Sequence, residues 1–325
     1  MIPDRFPSRE AIAAHQLRQL RKLLQAVAAG NRYYGPRLQQ AGLADELRTL
    51  DDFFRNMPFT WKEEIAADQQ AHPPYGTNLT FPLSAYSRFT QTSATSGAPL
   101  RWLDTPESWQ WMLDHWKQVF AAAEVGPGDT LYFAFSFGPF LGFWTAFEAA
   151  CQWGCRAIPG GGLSSLARLE AIRDNRADVL LATPSYALRL AEVARAEKID
   201  LEPLAVRLII VAGEPGGSVP AVRRSIESLW PHAALFDQHG MTEVGPVSYQ
   251  CPGRPGTLVV MEASYLAEIV DPPTGRPVAM PPGPHCQPRR LPRVLRRYAE
   301  SCQRLFLQGD RACSIEPGLF PADDF

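Results

Sequence analysis

The feature that most constrains the fold is a regular alternation of strand-like and helix-like segments through the middle of the chain. The strand-like segments are short and rich in aliphatic or aromatic residues, at 129–137, 156–159, 178–182, 206–212 and 233–236. The segments between them carry apolar residues at helical spacing, at 142–153, 166–173, 186–195 and 219–230. Strands that alternate with helices of about 10–15 residues predict parallel β-α-β units with right-handed crossovers. We therefore predict an α/β fold in which helices flank a parallel sheet.

The segments on either side of this alternation differ from it in composition. Residues 1–90 are predicted to be mainly helical, and the first amphipathic helix should begin after Ser8 and end at Gly30. Residues 279–325 are rich in proline and arginine, which is atypical of the preceding pattern. We therefore predict a helical part at 1–90, an α/β core at 91–278 and an atypical tail at 279–325.

Composition excludes several classes of function. The chain has 325 residues with 46% hydrophobic and 20% charged content, and its net charge of −2 is too small to indicate nucleic acid or an anionic membrane surface as a partner. We find neither a signal peptide at Met1 nor an apolar run of 18 residues, so we expect no membrane segment and a cytoplasmic location. The six cysteines form no C-x-x-C pair, which favours reduced thiols over disulfides or zinc.

Polar and glycine-rich loops follow several of the predicted strands. In open parallel sheets, ligands bind outside the carboxyl ends of the strands. The segments at this edge include Gly213-Glu214-Pro215 after one strand and a stretch from Asp237 to Pro246 after the next. Each places a carboxylate beside glycine, and we expect them to lie at one edge of the sheet.

A run of Thr, Ser and Gly at residues 92–97 is the strongest candidate for binding phosphate. Hydroxyl groups and backbone amides donate hydrogen bonds to phosphate oxygens, and glycine allows the turn that a tight anion-binding loop needs. An ordinary solvated turn has the same composition. The Walker pattern G-x-x-x-x-G-K-[ST] is absent from the sequence.

Taken in order, these motifs resemble those of the acyl-adenylate-forming superfamily, and within it the phenylacetate–coenzyme A ligase-like branch. Residues 92–99, Thr-Ser-Ala-Thr-Ser-Gly-Ala-Pro, look like the family's phosphate loop Ser-Ser-Gly-Thr-Thr-Gly-x-Pro. Gly213-Glu214-Pro215 is similar to its Gly-x-Glu-Pro turn, and residues 239–243 are similar to its Tyr-Gly-x-[Ser/Thr]-Glu segment. The resemblance implies a multi-layered large N-terminal domain with parallel-rich sheets flanked by helices.

The resemblance also implies an activity, which is ATP-dependent activation of a small carboxylic acid, with Mg²⁺ and with coenzyme A as co-substrate. It assigns the catalytic roles to Thr242 at the α-phosphate and to Glu243 as the Mg²⁺ ligand. It assigns the leaving phosphates to Thr92, Ser93, Thr95, Ser96 and Gly97. It assigns the adenine side to Gly213, Glu214, Pro215, Asp237, His239 and Gly240.

Three of these assignments have structural alternatives. Glu243 is also explained as a carboxylate at a helix N-terminus, and His239 as a structural histidine. Tyr132, Phe135, Phe137 and Gly138 suggest the wall of an apolar pocket for an aryl or other apolar acid, but alternating aromatic residues are also what a buried strand contains.

The chain also departs from the family pattern. Ala94 replaces a usual glycine in the phosphate loop, and His239 replaces a tyrosine. The usual C-terminal domain with its lysine is expected to be missing. Asp310, in Gln308-Gly309-Asp310, is similar to the ribose-binding Asp only through the last two residues of the family's Arg-Tyr-Arg-Thr-Gly-Asp motif. We therefore expect at most adenylation, and we retain a non-catalytic nucleotide-binding remnant as the alternative. An α/β-hydrolase is disfavoured because G-x-S-x-G does not occur. The sequence allows a homodimer without requiring one.

Overall fold

The computed structural model of the protein describes residues 8–44, 47–93 and 98–268. The chain divides into two compact units. The described part of the first unit comprises residues up to Trp109, Thr242–Val244, and residues 260–268. The second unit comprises Gln110–Met241 and Gly245–Val259. The domain boundaries expected at 90/91 and 278/279 remain predictions, and the segment 279–325 lies outside the described residues.

The described part of the first unit is largely helical. Its helices are α1 (Arg9–Gly30), α2 (Tyr34–Gln40), α3 (Leu50–Asn56) and α4 (Lys62–Ala71). The side chain of Ser8 accepts a hydrogen bond from the backbone N–H of Ala11, so it caps α1 at the expected residue. Leu20, Leu24 and Val27 form the buried stripe of α1. Burying one such leucine contributes about 2 kcal/mol to folding.

A short antiparallel hairpin completes the described part of the first unit. Its strands are β1 (Arg88–Gln91) and β2 (Arg101–Asp104), and they form a two-stranded sheet of their own. Gln91 pairs with Arg101 at the end of the ladder. The Ser/Thr stretch therefore connects the two strands of this hairpin. This hairpin is separate from the main sheet, because β1 and β2 pair with each other in a sheet of two strands.

The second unit contains the α/β alternation. A seven-stranded sheet runs in the order β4-β3-β5-β6-β7-β8-β9. Its strands are β3 (Thr130–Phe133), β4 (Arg156–Pro159), β5 (Val179–Ala182), β6 (Leu208–Val211), β7 (Ala234–Met241), β8 (Gly245–Gln250) and β9 (Leu258–Val260). The helices are α6 (Leu141–Trp153), α7 (Ser165–Asp174), α8 (Pro184–Ala196) and α9 (Pro220–Leu229), preceded by α5 (Pro106–Ala122), in which the chain passes from the first unit to the second.

Strands β3 to β7 pair with one another in parallel, which confirms the predicted fold class. Every residue of β3, β5 and β6 is buried, as expected for central strands covered on both faces. Their side chains pack with Leu169, Leu190 and Ile226 from the flanking helices. The alternation read from the sequence thus corresponds to one buried sheet with helices against it.

Two strands differ from the sequence prediction. The segment predicted as a strand at 129–137 is paired only over Thr130–Phe133, and its continuation is irregular, with φ of 52° at Phe137. The segment predicted at 233–236 instead continues to Met241, because β8 supplies an antiparallel partner beyond the end of β6. Asp237, His239 and Gly240 therefore lie in a strand and not in a loop.

No helix in residues 8–44, 47–93 and 98–268 is both long and apolar enough to cross a membrane.

Candidate active site

The stretch predicted to bind phosphate is held at its base by Thr92. The hydroxyl of Thr92 accepts a hydrogen bond of 2.9 Å from the backbone N–H of Leu100, and the N–H of Thr92 donates to the carbonyl of Leu100 over 3.0 Å. Thr92 is buried, and Ser93 beside it is exposed. Ala94, Thr95, Ser96 and Gly97 lie outside the described residues. The Thr92 hydroxyl therefore closes the hairpin and retains its own proton for donation.

The turn after β6 carries the Gly-x-Glu-Pro-like motif. Gly213 adopts φ of 91°, a left-handed conformation that favours glycine. The carboxylate of Glu214 accepts a hydrogen bond of 2.6 Å from the backbone N–H of Ser185, in the first turn of α8. Thr183 caps the same helix by accepting from the N–H of Tyr186. The Glu214 side chain thus links the turn after β6 to the helix that follows β5, while Gly213 and Pro215 stay exposed.

Asp237 lies in β7 beside the end of β6, where it pairs in register with Val211. The Asp237 side chain is buried, and it accepts a hydrogen bond from the hydroxyl of Ser218. Burial raises the pKa of the Asp237 carboxyl, against the lowering effects of the Ser218 hydrogen bond and the Arg223 charge. A Cβ at Gly217 would lie 2.4 Å from Cγ of Asp237, so only glycine leaves room for this carboxyl.

His239 and Gly240 follow on the same strand, where the ladder with β8 shifts register. The Nδ1 atom of His239 lies 3.5 Å from the hydroxyl of Ser248. Burial lowers the pKa of His239, which favours the neutral imidazole. A Cβ at Gly240 would lie 2.8 Å from the carbonyl oxygen of Gly245, so the two strands approach closely only because position 240 is glycine.

Thr242 and Glu243 occupy the turn between β7 and β8, and Met241 pairs with Gly245 across it. The hydroxyl of Tyr265 donates a hydrogen bond of 2.8 Å to the carbonyl of Val244, which fixes the end of this turn. The alternative that Glu243 stands at a helix N-terminus is wrong, since the residue joins two strands. Both Thr242 and Glu243 are half-buried.

The four residues predicted to line the acid pocket lie at and beyond the end of β3. Tyr132 is fully buried among the core residues of the sheet. Phe135 stacks on Phe143 with ring centroids 3.9 Å apart, and Phe137 contacts Trp144 edge-on at 5.1 Å. Trp144 also donates a hydrogen bond of 3.0 Å to the carbonyl of Gly138. The aromatic segment is therefore built from β3, the irregular stretch after it, and the start of α6.

Two buried arginines near these segments are not predicted from the sequence. Arg223 of α9 donates to the carbonyls of Gly217 and Leu235 over 2.8 Å each, and also to the side chain of Gln250. Arg168 of α7 donates to carbonyls beyond the ends of β3 and β4. The only signal in the sequence was an arginine beside apolar positions of an amphipathic helix, and solvated arginines give the same pattern.

Comparison with known proteins places the chain in a family. No protein-family profile matches it. The phenylacetate-coenzyme A ligase of Pseudomonas putida is 31% identical over 280 residues, which are 84% of this chain and 61% of that protein. The Escherichia coli K12 enzyme of the same name is 28% identical over 285 residues, 85% of this chain and 62% of that protein.

Solved structures agree with these sequence matches. A crystal structure of 2-hydroxyisobutyryl-CoA ligase in the postadenylation state, in complex with R3-HIB-AMP, matches with a TM-score of 0.78 and 26% identity. The matched region covers 84% of this chain and 58% of the ligase. The same ligase in the thioesterification state, with 2-HIB-AMP and CoA, matches with a TM-score of 0.74, 25% identity and coverages of 85% and 62%. The chain belongs to the acyl-adenylate-forming superfamily.

Membership of the acyl-adenylate-forming superfamily confirms the resemblance drawn from residues 92–99, 213–215 and 239–243. The chain spans about 60% of the length of the curated ligases that it matches.

Proposed function

We propose that this protein activates an aryl or other apolar carboxylic acid with ATP as its acyl-adenylate, the first half of a reaction in which coenzyme A is the acyl acceptor. The observation that carries the proposal is the register of β6 and β7. Val211 pairs with Asp237, so the turn at Gly213 leaves the sheet at the level where β7 continues towards Met241. Two motifs of the family thereby adjoin at the carboxyl edge of a parallel sheet, where such folds bind nucleotides.

The adenine side is proposed to consist of the turn Gly213-Glu214-Pro215 together with Asp237, His239 and Gly240. The groups at this position are chemically suited to a purine ring. Gly213 is exposed with φ of 91°, and its lack of a side chain lets a flat ring approach the backbone closely. Asp237 supplies an acceptor for an exocyclic amine, and neutral His239 offers a ring for stacking.

The phosphate side is proposed to consist of Thr92, Ser93, Thr95, Ser96 and Gly97, with Thr242 at the α-phosphate. Hydroxyl groups and backbone amides match the acceptor oxygens of a polyphosphate. Glu243 would hold Mg²⁺, and one carboxylate suffices because the substrate phosphates and water complete its coordination. When bound, Mg²⁺ offsets the negative charge on the phosphate oxygens.

The acid is proposed to bind against Phe135, Phe137 and Gly138, with Tyr132 behind them. In the reaction, a carboxylate oxygen attacks the α-phosphorus, the bond to the bridging oxygen breaks, and pyrophosphate leaves. The product is an acyl-adenylate. The coenzyme A thiolate then attacks the acyl carbon, AMP leaves with the bonding electrons, and the thiol proton goes to solvent. The protein's contribution to the first step is to align the two anions, which otherwise repel each other.

Two assays on the purified protein test this proposal. Acid-dependent exchange of labelled pyrophosphate into ATP measures adenylation, with phenylacetate, benzoate, a medium-chain fatty acid and 2-hydroxyisobutyrate as the panel. Mass spectrometry of acyl-coenzyme A measures the second step. We expect exchange with at least one apolar acid. Mg·ATP binding without exchange would instead identify a nucleotide-binding remnant, and an absence of Mg·ATP binding would overturn the family's chemistry for this chain.

We also propose a cytoplasmic location, where ATP and coenzyme A are available, and a homodimer as the assembly state. Cell fractionation and light scattering measure these two properties. Recovery of the protein with membranes, or a monomer mass at micromolar concentration, would contradict them.

A further inference from the structure

Arg168 is a buried cation in the second turn of α7. It is 8% exposed, although α7 carries an exposed arginine, Arg173, five residues later. Arg173 pairs with Asp174 at the surface. For Arg168, no carboxylate lies within salt-bridge distance among the described residues. Removing a charged group from water costs free energy, and hydrogen bonds must offset that cost. The contacts of Arg168 therefore indicate its role.

The guanidinium of Arg168 binds three backbone carbonyls. Its Nε atom donates to Gly160 over 2.9 Å, Nη1 donates to Ala134 over 3.2 Å, and Nη2 donates to Phe135 over 3.4 Å. Gly160 directly follows β4, while Ala134 and Phe135 directly follow β3. These carbonyls lie where the two strands leave their ladder. The planar fork of the guanidinium therefore takes the place of the sheet partners that these groups lack.

A tyrosine ring faces the same guanidinium, and a second tyrosine lies beside Gly160. Its central carbon lies 4.9 Å from the ring centroid of Tyr186, on α8, in a cation–π contact. The Tyr186 hydroxyl lies 3.0 Å from that of Ser165. A Cβ at Gly160 would lie 2.9 Å from the Tyr132 hydroxyl and 2.7 Å from the carbonyl oxygen of Phe133, so the segment after β4 packs closely against β3. Arg168 thus holds the segment after β4 directly against the end of β3.

Ala134 and Phe135, whose carbonyls accept from Arg168, begin the aromatic segment to which the proposed function assigns the binding of the acid. Ala134 donates its N–H to the carbonyl of Leu181 over 2.9 Å, but its carbonyl faces Arg168. The chain then departs from strand geometry and reaches φ of 52° at Phe137. The orientation of Phe135 and Phe137 therefore depends on where the ladder of β3 ends, and Arg168 supplies the hydrogen bonds at that point.

We propose that Arg168 is a positioning residue that fixes the acid-binding segment at Ala134 and Phe135, an inference that rests on the proposed function. The planar arrangement of the guanidinium N–H donors is what holds the three carbonyls in place. Lysine keeps the charge but is a compact ammonium that cannot hold three carbonyls in one plane. Methionine keeps much of the side-chain volume and leaves all three carbonyls without their donor.

The experiment compares Arg168→Lys and Arg168→Met with the wild type, and uses Arg173→Lys and Arg173→Met on the same helix as matched controls. Pyrophosphate exchange gives KM separately for the acid and for ATP. We expect both Arg168 variants to raise the acid KM at least tenfold and to leave the ATP KM within twofold. Hydrogen–deuterium exchange should increase at 134–140 and 160–164 in both, and the Arg173 variants should match the wild type.

Several results would overturn the inference. A parallel rise in both KM values would mean that Arg168 supports the whole unit and not the acid segment. If Arg168→Lys keeps the wild-type acid KM and the wild-type rates of hydrogen–deuterium exchange, the charge alone suffices. That result would count against the inference even if Arg168→Met fails to fold. An active wild type separates these outcomes from failure of the proposed function. A wild type with no exchange for any acid would overturn the proposed function and the assignment of Arg168 with it.

Discussion

The carboxylate of Glu214 accepts a hydrogen bond of 2.6 Å from the backbone N–H of Ser185, 29 residues earlier in the chain. Ser185 lies in the first turn of α8, where free N–H groups and the helix dipole favour a negative charge. The bond connects the turn after β6 to the start of α8, at the carboxyl edge of the sheet. Glu214 therefore acts on the turn at Gly213 through its side chain, while the backbone of the turn stays open to a ligand.

Replacing Glu214 tests this connection. Glu214→Ala should raise the Kd for ATP about tenfold, because a charge-assisted hydrogen bond is worth about 1.5 kcal/mol and its loss frees the turn. Glu214→Gln retains an acceptor oxygen and should recover most of the affinity. Isothermal titration measures both. Glu192→Ala, at an exposed position of α8, is the control, and equal affinities for the Ala and Gln variants would contradict the role of the hydrogen bond.

Gly217→Ala tests the placement of Asp237. The new Cβ would lie 2.4 Å from Cγ of Asp237, so the carboxyl must move. We expect ATP affinity to fall about tenfold, which corresponds to about 1.4 kcal/mol. Gly126→Ala is the matched control because its Cβ would meet no atom within 4 Å. An unchanged affinity in folded Gly217→Ala would exclude Asp237 from the nucleotide site.

Glu243→Gln tests the magnesium assignment. The substitution removes one negative charge from a hard-cation ligand and preserves size, so the gain in ATP affinity on adding Mg²⁺ should fall at least tenfold. Titration of ATP with and without Mg²⁺ measures this gain. Glu197→Gln, exposed at the end of α8, should retain it. A folded Glu243→Gln variant with the wild-type response to Mg²⁺ would refute the assignment.

His115 makes the stability of the protein depend on pH. Burial lowers the pKa of His115 from 6.5 to about 4, although its Nδ1 atom lies 2.6 Å from the carbonyl of Trp111. Because the unfolded chain takes up the proton first, stability is lost as pH falls from 6.5 towards 4, by roughly 3 kcal/mol. His115→Gln should lack this loss. Urea unfolding at several pH values measures the difference, with surface His232→Gln as control, and parallel pH profiles for wild type and His115→Gln would contradict it.

Arg223→Met should reduce the free energy of unfolding by about 3 kcal/mol, because it removes the buried guanidinium that donates to the carbonyls of Gly217 and Leu235 and to the side chain of Gln250. Arg224→Met changes the same residue type at the next, exposed position. Thermal or urea unfolding compares the two. Similar losses of unfolding free energy in both variants would mean that the buried hydrogen bonds of Arg223 do not account for its contribution to stability.

The sequence alone was sufficient for the fold class and for the order of the motifs. The buried strands β5 and β6 are near-continuous aliphatic runs, and the helices between them carry apolar residues at helical spacing. Capping at Ser8 was also readable, since its hydroxyl accepts from an N–H three residues later. These are properties of neighbouring residues, so a linear pattern contains them.

Only the tertiary structure decided where strands end and which polar groups meet. Strand β7 continues to Met241 because β8 pairs with it, and β3 stops at Phe133 where Arg168 takes over the carbonyls. Arg168 lies 34 residues from Ala134, and Glu214 lies 29 residues from Ser185. Hydrogen-bond partners at such separations are brought together by packing of the sheet and helices, and no local periodicity records which donor will face which carbonyl.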